Sequence, residues 1–136
     1  MLPNLDYERR LQALERFMRE IRGDRGASAV VTWTPTWTGL TVVGTPTYAG
    51  RYTRIGQLVF FTVEITAGGA NTTASTAGTT FVNNLPLAAA FFNACVARDM
   101  SIGTSLGVGG VNAANVSTPT WGATNSNIIV SGWYEI

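Results

Sequence analysis

Outside the first 25 residues the chain has three carboxylates, Glu64, Asp99 and Glu135, and a single thiol, Cys95. A glycosidase needs two carboxyl groups held roughly 5 to 10 Å apart, and two of these three could meet. Against that pairing, Glu64 and Glu135 fall on the polar phase of alternating strands, and Asp99 follows Arg98 in a turn-like stretch. No histidine occurs, which removes the commonest general base, the Ser-His and Cys-His pairs and the commonest metal ligand. Cys95 lies in the apolar run 90–97, reads as a buried small hydrophobe, and cannot form an internal disulfide alone. Gly103 to Gly110 lacks a phosphate-loop lysine and reads as turn and edge-strand glycine. The expectation is a chain with no catalytic, cofactor or metal residues. Trp33, Trp37, Trp121 and Trp133 could stack on sugars, but most of them are expected in the core.

The charge distribution divides the chain. Eleven charged residues lie within positions 1–25, and six serve all the rest. Net charge is +1, and every basic residue is arginine. Such a balance gives no field for nucleic acid. No apolar run reaches the ~18 residues of a membrane span, and no signal-peptide core opens the sequence. Synthesis in the cytoplasm is expected.

Residues 4–22 carry a helical pattern. Tyr7, Leu11, Leu14, Met18 and Ile21 are spaced 4, 3, 4, 3, the seam of a coiled coil with Leu11 and Met18 at a and the others at d. Arg10 at g and Glu15 at e suit charge pairing between parallel copies. Asn4 is the expected N-cap, with Asp6 and Glu8 in the first turn, Arg19 and Arg22 in the last, and Gly23 as the stop. A helix this short is marginal alone. It needs either the body of its own chain or identical helices. The narrow seam, charged elsewhere, favours identical helices. Residues 24–29 are expected to be a hinge.

From Val30 the period changes to two, with β-branched and aromatic residues punctuated by glycine and proline. Strands are expected at 30–34, 37–43, 48–54 and 57–66, with a tight turn at Ile55-Gly56. In the 57–66 strand, Val59, Phe61, Val63 and Ile65 share one face. Residues 67–78 read as a polar loop, the longest exposed segment. Residues 88–98 read as a strand carrying Phe91, Phe92 and Cys95, with a helix as the alternative. Further short strands are expected from 100 to 123, and a last one from 127 to 136, inside the sheet or at a subunit contact. Eight to ten short strands imply an antiparallel sandwich or jelly roll over 30–136.

A heptad helix on a Thr/Gly/Trp-rich β body resembles the fibre, spike and head-decoration proteins of bacteriophages. The run Gly50-Arg51-Tyr52-Thr53-Arg54-Ile55-Gly56-Gln57-Leu58-Val59 resembles a G-x-Y-T-R-I-G-x-x-V run recurring in fibre knobs, and Trp33-Thr34-Pro35 is similar to their W-T-P opening. The resemblance implies a homotrimer with a helix over 1–23, a β knob over 30–136 and no catalysis. It implies a place on a virion made in a bacterial cytoplasm, with capsid or tail proteins and host surface glycan as partners. Within the knob motif it implies that Tyr52 and Ile55 pack, that Gly56 turns, and that Arg51 and Arg54 are exposed or paired across the sheet. It carries over no receptor-binding residue. Capsid cement and a free carbohydrate-binding module are the alternatives.

Overall fold

The computed structural model describes residues 3–27 and 29–136, with side-chain surroundings for 5–19 and 29–136. Helix α1 spans Pro3–Ala27. Proline suits a first helical position, where its missing N–H costs nothing. Asn4 therefore lies inside the helix and is not its cap. Gly23 does not end it either: the helix runs through 24–27, most of the expected hinge. A glycine inside a helix costs about 1 kcal/mol, which flanking helical turns can absorb. Asp6 accepts an ion pair from Arg10 one turn on, at 3.4 Å.

The body is mainly β and antiparallel. Its strands are β1 (Val31–Trp33), β2 (Trp37–Thr38), β3 (Thr41–Val43), β4 (Thr47–Ile55), β5 (Leu58–Thr66) and β6 (Thr72–Ser75), followed by β7 (Phe81–Val82), β8 (Asn93–Asp99), β9 (Thr104–Asn112), β10 (Asn115–Ser117), β11 (Trp121–Thr124) and β12 (Ile128–Glu135). One sheet has nine strands in the order β1-β4-β5-β12-β8-β9-β10-β7-β2, and a second has the order β11-β6-β3.

The nine-stranded sheet must curl. Laid flat at about 4.8 Å per strand it would be about 38 Å across. Its two edge strands, β1 and β2, are separated in sequence only by residues 34–36, which reach about 14 Å fully extended. The edges are therefore drawn together. Asn84 clamps the link: its Oδ1 accepts from Thr36 N at 2.8 Å and its Nδ2 donates to Thr34 O at 2.9 Å. Across the gap, the rings of Trp37 on β2 and Tyr48 on β4 lie 6.2 Å apart.

Curling gives the sheet an inside. Val59, Phe61, Val63 and Ile65 of β5 fill it, as the alternation predicts, with Val130 and Tyr134 of β12, Cys95 and Ala97 of β8, and Val111 of β9. Trp121 of the smaller sheet joins the same core. The last strand is internal, bonded to β5 along its length and to β8 over Ile128–Gly132.

Several expectations are corrected. Residues 67–78 are not one open loop, because β6 is the central strand of the small sheet, with Thr73 and Ser75 buried. Threonine's branched side chain suits that position despite its polarity. Residues 88–92 are neither strand nor helix, and β8 begins only at Asn93. Phe91 and Phe92 consequently project to solvent at 68% and 82% exposure. Of the glycines expected at a turn or an edge, Gly103 lies in the turn before β9, Gly107 and Gly109 pair with β8 alone, and only Gly110 is flanked by strands on both sides. Among the described residues the strands number twelve, not eight to ten.

Candidate functional site

The three carboxylates do not converge. Glu64 and Glu135 both lie on the outer face of the sheet, but opposite Ile129 and Leu58, six positions apart along β12 and β5. That is about 20 Å at 3.4 Å per residue. Glu64 pairs with Arg51 at 3.8 Å. Asp99 lies in the inward-facing row, beside Ile128, and is buried. Its Oδ1 accepts from Ser101 N at 2.9 Å and Ile102 N at 3.3 Å, closing the turn after β8. Burial pushes the Cys95 thiol up to about 11, against a smaller opposing effect of the Gly109 backbone. Cys95 has Gly132 and Gly109 as its cross-strand neighbours, a small-residue row in the wall of the core.

The knob motif is a packing device. Gly50 is the register partner of Trp33 and is buried beneath its indole. Tyr52, two residues on, meets the same indole edge-on, with centroids 6.0 Å apart. Arg54 Nε donates to Gly56 O at 2.8 Å, and Gly56 takes φ +60° in the turn joining β4 to β5. A left-handed residue in a two-residue hairpin favours glycine there. Ile55, in contrast to the expectation that it packs, is 51% exposed. Of the tryptophans, Trp121 is buried, Trp33 and Trp37 pack partly against the core, and Trp133 is half-exposed.

Two groups of exposed large apolar side chains stand out among the described residues. The first is the helix. Every described side chain from Leu5 to Arg19 is exposed. Tyr7, Leu11, Leu14 and Met18 stand at 68%, 44%, 54% and 47%. The side chain of Ile21 lies outside the described residues. A stripe of large apolar residues at 3-4 spacing is thus left exposed among the described residues.

The second is the outer face of the sheet. Cross-strand partners Phe60 and Trp133 are both exposed on it, as are Val96 and its partner Val108. Ile55 extends the band beyond Leu58. At the far end, across β9, β10 and β7, lies a groove of about 450 Å³ bordered by Phe81, Phe92, Asn93, Asn112 and Asn115. Sequence reading missed this groove because it depends on which strands become neighbours. Family models, curated proteins and solved structures were compared with the chain, and none matched.

Proposed function

We propose that this chain is a non-catalytic structural protein of a bacteriophage virion, a homotrimer in which parallel α1 helices hold three β knobs on the particle surface. The observation that carries the reading is the bare seam of α1. Leaving Leu11, Leu14 and Met18 in water forfeits roughly 1.5 to 3 kcal/mol for each side chain that could be buried. Their 3-4 spacing suits identical helices better than any other cover. The exposed cross-strand pairs Phe60–Trp133 and Val96–Val108 on the outer face support the same reading, because large apolar side chains grouped on one face suit a contact surface. Three-fold symmetry comes from the resemblance of the 50–59 run to fibre knobs, and a sandwich or jelly-roll knob from the series of short strands. In this reading the knob meets capsid or tail proteins at one end and a host surface at the other.

The test has two steps. Light scattering should give about three times the 14.5 kDa chain mass; a monomer at high concentration overturns the reading. An image of the intact particle should then place the chain on head or tail. Capsid cement is the second reading under the same trimer: added to bare particles, a cement raises their disruption temperature, whereas a displayed fibre leaves it unchanged.

A further inference from the structure

We propose that the groove across β7, β10, β9 and β8 binds a neutral oligosaccharide through stacking on Phe92 and hydrogen bonds to Asn93, Asn112 and Asn115. The proposal names the class of molecule a displayed knob meets, and it rests on the preceding reading for that setting only.

The groove follows from the register. Ser117 lies opposite Phe81 on β7 and opposite Gly110 on β9. Gly110 has no side chain, and the Ser117 hydroxyl is turned onto it, accepting from Gly110 N at 3.0 Å and donating to Gly110 O at 3.2 Å. The floor is therefore low and its polar groups are already satisfied. One step along the strands, Asn115 lies opposite Asn112. The hairpin between them turns through Ala113 at φ +51° and brings both carboxamides to one side. Asn93 accepts from Ala94 N at 2.9 Å through Oδ1, which leaves its NH₂ available. Among the described residues, Asn112 and Asn115 have no side-chain hydrogen bond to the protein. Phe92, at 82% exposure, forms a wall.

This lining selects a ligand class. No charged residue borders the groove, so it offers no ion pair to a phosphate, sulfate or carboxylate. Carboxamides both donate and accept, matching the hydroxyls of a sugar. An exposed aromatic face suits the apolar C–H face of a pyranose. The volume falls within the range of about 300 to 1,000 Å³ for small-ligand sites. A second hollow, between Phe91, Phe92, Trp133 and Glu135, shares the Phe92 and Asn93 walls. Two adjoining hollows with a common aromatic divider fit a chain of sugars rather than a single one.

The experiment applies the full-length protein to an array of neutral, sialylated and sulfated oligosaccharides, with solution mass measured in parallel. Binding to neutral glycans is expected, reduced at least tenfold in Phe92→Ala and in Asn112→Ala, with the mass of the assembly unchanged in both. Circular dichroism confirms that each variant is folded. A lack of neutral-glycan binding, binding confined to acidic glycans, or full binding by both variants overturns the proposal. Loss of binding in Phe92→Ala together with a fall in mass also overturns it, making Phe92 a subunit contact. Glycan binding by a monomer would retain the site and reject the trimer. A trimer that binds no neutral glycan would do the reverse.

Discussion

Trp33 lies on Gly50. A methyl group added at Gly50 would come within 2.5 to 2.7 Å of three atoms of the indole, so the ring can stay only if the residue beneath it has no side chain. Gly50→Ala should displace the ring and its edge-on contact with Tyr52. Overpacking of this kind costs about 1 to 3 kcal/mol. Urea unfolding followed by tryptophan fluorescence should show a lower midpoint with an unchanged slope. An unchanged midpoint would mean that the indole has room to spare.

Tyr134 links pH to stability. Its hydroxyl donates to Leu87 O at 2.8 Å and its ring lies 5.8 Å from that of Phe61. Burial, reinforced by Tyr52, pushes its phenol up to about 12. The unfolded chain releases that proton near pH 10 while the folded chain retains it. The stabilisation is thus fully present below pH 10 and is lost as pH rises from 10 to 12. Tyr134→Phe should flatten that decline in an alkaline titration of unfolding midpoint. At pH 7 it should cost about 1 kcal/mol for the lost hydrogen bond.

Thr73 has a buried hydroxyl with no hydrogen-bond partner among the described residues, in the middle of the small sheet and opposite Val42. Valine has the same branched shape without the unmet polar atom. Thr73→Val should raise stability by about 1 kcal/mol, read as a higher melting temperature. A drop would reveal a partner for the hydroxyl.

Leu14 sits mid-seam and is 54% exposed. If the proposed trimer holds, Leu14→Asp places a charge between its helices and should lower the mass measured by light scattering from trimer towards monomer. The β signal in circular dichroism should persist, because no described helix side chain is buried against the sheets. A fully assembled variant would shift the organising role to the outer sheet face.

Much of the framework was legible because its residues repeat with the right period. β5 announced itself by alternation, and α1 by its 3-4 spacing. The small sheet was hidden because Thr72 to Ser75 has the composition of a loop, and only pairing with β3 and β11 makes it a strand. Phe91 and Phe92 were expected on a strand because an apolar run indicates preference for burial but not the neighbour that would supply it, and the strand begins only at Asn93. The Asn112 and Asn115 carboxamides gave no signal, since nothing local tells that a hairpin will set them facing one way. The same holds for Gly50, whose need for an absent side chain arises from Trp33, 17 positions earlier.

β12 joins two half-sheets, β1-β4-β5 on one flank and β8-β9-β10-β7-β2 on the other. Until Ile128–Glu135 emerges from the ribosome, both halves carry a bare hydrogen-bonding edge beside an open apolar surface. The knob is therefore sealed late and through distant pairings, a slow kind of closure. The helix precedes every strand in the chain and buries no described side chain against them, so it is complete before the sheets can close and does not depend on their closure.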